Sequence, residues 1–95
     1  MIRHIVFFTA TSPDKIDAIC AGLELLAEIP HSNVFEIRRN SKVDLYGNDI
    51  DVVVYAEFAD REAFDAYKAH PNYAEATRRV RPLRDMRHAA DIVTE

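Results

Sequence analysis

Residues 2 to 9 alternate like a β-strand, yet both faces of that strand are apolar at its centre. Ile2, His4, Val6 and Phe8 share one face, while Arg3, Ile5, Phe7 and Thr9 share the other. A strand of this kind has to be covered on both sides. Whatever the chain folds into must therefore supply two layers of cover.

Only two helical patterns are available to provide it. Ser12-Pro13-Asp14 reads as a helix start: a hydroxyl at the N-cap, proline at the first helical position and an acid near the positive end of the dipole. Ile16, Ile19, Cys20, Leu23, Leu26 and Ala27 follow at spacings of three and four, and Pro30 ends the stripe. Asp60 caps a second helix expected over 61–69, with Phe64 and Tyr67 on one side. His70-Pro71 interrupts it, because a residue before proline is pushed out of the helical region. Asn72 to Glu75, in capping-box spacing, restarts a turn that runs to about Arg79, and Pro82 lies in the loop beyond.

Three more segments read as strands. Residues 33 to 40 have polar ends, as suits an edge. Residues 50 to 58 put Ile50, Val52, Val54, Ala56 and Phe58 on one face and Asp51, Val53, Tyr55 and Glu57 on the other. Residues 86 to 93 put Met86, His88, Ala90 and Ile92 together, and 41–49, with Gly47-Asn48-Asp49, reads as a loop. The order is β-α-β-β-α-β, an α+β arrangement of the split βαβ type. Two helices cover one face of a four-stranded sheet, so the opposite face, with Val53 and Tyr55, calls for association.

Size points the same way. A chain of 95 residues is expected to form one domain, residues 1–95, of marginal stability alone. Cys20 is its only cysteine, which excludes an internal disulfide, and no His/Cys cluster has structural zinc spacing. A second copy is the remaining support, so a homodimer is expected. The net charge of −4 and pI near 5.5 disfavour nucleic acid as a partner. Apolar runs such as Ile5 to Phe8 are too short to span a membrane, and the start of the chain lacks a signal-peptide pattern, so a cytoplasmic location is expected.

Three stretches resemble a known family when taken in order: Met1-Ile2-Arg3-His4-Ile5-Val6-Phe7-Phe8; Ala56-Glu57-Phe58 leading into Phe64-Asp65-Ala66-Tyr67-Lys68-Ala69-His70-Pro71; and Arg81-Pro82-Leu83. Together they are similar to the stress-responsive dimeric α/β-barrel (Dabb) domain. The resemblance covers nearly the whole chain. It implies a ferredoxin-like fold, an antiparallel sheet with the helices on one face, and two subunits packed sheet to sheet as a dimeric barrel. Many members have no assigned activity and some are linked to stress tolerance. One plant branch is a polyketide cyclase whose pocket lies between sheet and helices. By resemblance, His4 matches that branch's first-strand His and Tyr67 its helix Tyr. Tyr73 stands where it has its catalytic His, and Val52 where it has a further pocket His.

The residues also suggest a site on their own account. His4 is either a hydrogen-bonded core histidine or a group for proton transfer in a pocket. Tyr67 either packs with its hydroxyl tethered or offers a phenol to a ligand carbonyl. His70 either caps the carbonyls at the helix break or faces the pocket, and Tyr73 is a pocket phenol or a rim residue. His88 is placed to face His4 from a neighbouring strand. No histidine pair has metal-site spacing, so no metal is expected. Arg78, Arg79, Arg81, Arg84 and Arg87 read as a solvated, salt-bridged face, with an anion site at the pocket mouth as the sharper alternative. Cys20 reads as packing, and with only Gly22 and Gly47 there is no phosphate loop.

These readings converge on a small-molecule pocket lined by His4, Tyr67, His70, Tyr73 and His88, for an apolar or aromatic ligand and without a cofactor. If the protein is an enzyme, His4 and Tyr67 are the catalytic candidates, for cofactor-independent cyclisation, isomerisation or monooxygenation of aromatic or polyketide-like compounds. The alternative is a non-catalytic, stress-associated structural module.

Overall fold

The structure is a computed structural model and describes residues 1–94. Strand β1 (Ile2–Ala10) is followed by a 3-10 turn at Pro13–Lys15 and helix α1 (Ile16–Ala27). Strands β2 (Val34–Arg39) and β3 (Val52–Phe58) come next, then α2 (Arg61–Ala69), α3 (Pro71–Val80) and β4 (Arg84–Val93). The sheet has the order β2-β3-β1-β4, and every pair is antiparallel. The fold is α+β and ferredoxin-like, as the element order implied.

Register explains how one strand serves two surfaces. Val6 lies between Val54 and Ala89, and Phe7 between Val53 and His88. Ile2, His4, Val6 and Phe8 point to the helices and are buried with Val52, Val54, Ala56 and Phe58. From the helix side come Ile19, Leu23 and Leu26 of α1, Phe64 and Tyr67 of α2, and Ala76 and Val80 of α3. The opposite face carries Val53, Tyr55, Ile5, Phe7, Ala90 and Ile92 in neighbouring rows, and no helix among the described residues lies over it. Phe7 is 36% and Ile92 46% exposed there.

Helix α1 packs against α3 at Gly22, where a Cβ would sit 2.9 Å from Val80 Cγ2. The absence of a side chain at position 22 sets that close approach. The stripe is therefore shifted from its expected membership: Gly22 is buried, while Ala27 is exposed.

Several boundaries differ from the sequence reading for local reasons. Helix α3 begins at Pro71, not at Asn72, because His70 is its N-cap: the His70 Nδ1 accepts from the Asn72 backbone N–H at 3.0 Å. Strand β4 starts at Arg84, paired with Ala10 across a register shift between Phe8 and Ala10. There the Met86 N–H donates to the Thr9 hydroxyl at 2.9 Å instead of to a backbone carbonyl. Ser12 makes no side-chain bond to the backbone of the turn it precedes.

The β2–β3 loop is anchored by Asp51, which accepts from the Ala10 N–H at 2.8 Å and from Lys42 Nζ at 2.7 Å. Burial raises the Asp51 pKa, but the Lys42 and Ala10 bonds outweigh it and leave the carboxyl below its ordinary value. Gly47 supplies the positive φ of +59° that the turn needs.

Candidate functional site

His4 sits on a central strand, paired with Ala56 on one side and Asp91 on the other. Facing residues on an antiparallel pair project to the same side, and here the His4 Nδ1 lies 2.5 Å from Asp91 Oδ1. The imidazole is 3% exposed, whereas the Asp91 side chain is 44% exposed because no helix roofs the β4 edge. An ionised carboxylate only accepts. Asp91 therefore takes the Nδ1–H of His4, and this leaves Nε2 as the ring's free acceptor.

The ring is enclosed by aromatic side chains. Its centroid is 5.0 Å from that of Phe64, 6.2 Å from Tyr67 and 6.4 Å from Phe58. Tyr67 is 1% exposed. Burial, and then Tyr73, push its phenol well above its ordinary value, against the opposing charge of Arg87. Tyr67 is thus a neutral hydroxyl, a donor, across the physiological range.

Between these groups, α3 and β4 lies a cavity of about 40 Å³. At roughly 10–15 Å³ for one water, it holds a few waters. With its open mouth the void is about 420 Å³. His4, Tyr67 and Tyr73 line it, among Val6, Val54 and Leu26. Among the described residues neither the Tyr67 hydroxyl nor His4 Nε2 has a protein hydrogen-bond partner, and no fully buried polar side-chain atom is left unpaired. Both atoms therefore keep accessible surface, and the cavity is where they can have it.

A family model described as the stress responsive A/B barrel domain matches residues 2–94. The chain belongs to that family, Dabb. A dimeric ferredoxin-like protein of unknown function from Thermobifida fusca is 25% identical, with 98% of this chain and 90% of that one aligned and a TM-score of 0.81. A Dabb family protein with a ferredoxin-like fold from Mesorhizobium loti is 26% identical, with 99% and 96% aligned and a TM-score of 0.81. An antibiotic biosynthesis monooxygenase shares the fold at 16% identity, with 100% and 99% aligned and a TM-score of 0.75. No curated protein matches the chain.

In this Dabb chain the residues singled out from sequence divide into two groups. His4, Tyr67 and Tyr73 meet at the cavity, and Tyr67 and Tyr73 lie edge to face at 5.4 Å. His70 does not line it. Its Nδ1 lone pair is taken by α3, so it caps N–H groups and not the carbonyls at the end of α2. His88 is exposed and opposite Phe7 on the uncovered face, so it does not face His4. The one-residue register difference between His88 and Asp91's side of β4 reverses the expected pairing.

Sequence reasoning missed Asp91 as the partner of His4. The available signal was an acid within the apolar stretch Ala89 to Val93, on the face opposite His88; the strand register that brings it to His4 is set by tertiary pairing. Arg84, Arg87 and Thr77 also line the cavity. Among the described residues no three His, Cys, Asp or Glu side chains gather as a metal site would need. Chemically the arrangement offers a carboxylate-oriented imidazole acceptor and a phenol donor in an apolar recess, a set suited to moving a proton on a bound carbonyl or phenol.

Proposed function

We propose that this Dabb protein is a homodimer that binds a small aromatic or polyketide-like molecule between its sheet and helices. The observation that carries the reading is the His4–Asp91 contact at 2.5 Å beside a cavity that Tyr67 also lines. A merely structural histidine has no need of a carboxylate partner on one nitrogen and a recess at the other. In this reading His4 Nε2 accepts a proton from the ligand, Asp91 steadies the imidazolium that results, and Tyr67 donates to a ligand oxygen. Such proton transfer is cofactor-independent and serves cyclisation or isomerisation.

The second copy covers the bare sheet face. Rows such as Tyr55–Ile5–Ala90 and Val53–Phe7–His88 have apolar centres, with Glu36 and Arg38 beyond them on β2, and opposing sheets pack about 10 Å apart. The dimeric description of the Thermobifida fusca protein supports this assembly.

A thermal-shift screen of hydroxyaromatic ketones and phenols tests the binding reading. A ligand that binds only the folded state raises Tm by mass action. Stabilisation of the parent protein that disappears in His4→Phe is the expected result. A screen in which no compound shifts Tm favours the non-catalytic module, a reading that the small closed volume of the cavity supports.

A further inference from the structure

We infer that the pocket takes a ligand with a carboxylate head, held at its mouth by Arg84 and Arg87. This rests on the pocket reading above and adds the charge of the ligand. The protein is acidic, with 16 Asp and Glu against 12 Lys and Arg, yet the residues lining this cavity include no acid and two arginines. Among the described residues, five other guanidinium groups are neutralised, while Arg3 and Arg81, which do not line the cavity, are not. Arg38 meets Glu36, Arg39 meets Asp17, Arg61 meets Asp65, and Arg78 and Arg79 share Glu75. Among the described residues, no carboxylate lies within ion-pair distance of Arg84 or Arg87.

Their placement follows from the strand. Arg87 pairs with Phe8 and Arg84 with Ala10, so Arg87 shares the face of the buried Phe8. Arg84 is half-buried and Arg87 exposed, which places them at the rim while Val6, Val54 and Leu26 form the floor. The positive charge of Arg87 reaches inward far enough to act on the Tyr67 phenol. A planar guanidinium matches a carboxylate by paired hydrogen bonds. A ligand with an apolar body toward His4 and Tyr67 and a carboxylate at the mouth matches the apolar floor and both arginines. The acid would meet the outer pair, and a further carbonyl or phenol oxygen, where a ligand carries one, the inner pair.

The probes are cinnamate and its neutral analogue cinnamamide, titrated into the full chain by calorimetry, with NMR shifts of the His4 and Tyr67 rings marking the site. Cinnamate is expected to bind at least about tenfold more tightly, the scale of one charged hydrogen bond. The Arg84→Gln/Arg87→Gln double variant should bring the two affinities together without changing that for cinnamamide. Arg61→Gln, on the far surface of α2, should leave the ratio intact. Equal affinities in the parent protein, with both rings perturbed, would overturn the carboxylate assignment and leave the pocket reading standing. A preference that survives the double variant would overturn the role of these two arginines. If neither compound moves the rings, both readings fall together.

Discussion

The two faces of the sheet share their strands but solve different problems. On the helix face, His4 is the single buried polar or charged residue among the described residues, and it is partnered by Asp91. On the other face, Phe7, between Val53 and His88, and Ile92, beside Arg3, stay partly open. Adjacent residues on β1 thus divide the labour: even-numbered positions build the interior and its recess, and odd-numbered ones build the bare apolar surface. The difference shows that burial in this chain is assigned by register and by the number of covering helices. Hydrophobicity alone would treat Phe7 and Phe8 alike.

The comparison breaks most visibly if two phenylalanines are truncated in parallel. Phe58, fully buried under the aromatic cluster, should cost about 3–5 kcal/mol when changed to Ala, read from denaturant unfolding. Phe7→Ala should cost far less at low protein concentration and more as concentration rises. Equal, concentration-independent losses would show that the bare face is not an interface. A sharper version is Phe7→Asp. An uncompensated charge in a closed interface weakens association by at least about a hundredfold, so sedimentation should find monomer at micromolar concentration. An undisturbed dimer would place the contact elsewhere.

On the helix face the smaller perturbation is Asp91→Asn. It removes the group that fixes the His4 tautomer, at about 1.5–3 kcal/mol for a hydrogen bond to a charge. The ¹⁵N shifts of His4 should pass from a ring protonated at Nδ1 to a mixture of tautomers. Identical spectra would mean that Asp91 does not hold the ring.

The smallest effect lies on α3, beside the pocket mouth. Hydrogen bonds from Arg78 and then Arg79 hold the Glu75 carboxyl down, from an ordinary 4.5 to about 2. A depressed acid stabilises the fold above its unfolded value, and that stabilisation is lost as pH falls. Its contribution should therefore be complete above pH 4.5 and vanish toward pH 2. Glu75→Gln should flatten the stability curve over that window, so that the variant is less stable than the parent at neutral pH and the two converge toward pH 2. A variant curve parallel to the parent's between those limits would refute the coupling.

Much of this was legible in the chain itself. Alternation fixed which residues of β1 and β3 share a side, because a period of two needs no knowledge of neighbours. The pause at His70-Pro71 was legible because proline constrains the residue before it. Strand β4 was harder. Its face assignment was readable, but its register against β1 depends on a bulge at Phe8/Ala10 that carries no local signature. Hence His88 was set opposite His4 and Asp91 went unnoticed. Membership of the pocket failed for a similar reason at His70, whose capping role depends on where α3 starts.

The contact between Gly22 and Val80 reaches further than helix packing. Val80 touches the first helix on one flank and the ligand recess on the other. Position 22 therefore acts as a shim: a methyl group added there would press Val80 sideways and shrink the room available to a guest. Relatives with larger or smaller guests can be sought in the spacing of these two helices, far from the imidazole that would do the chemistry.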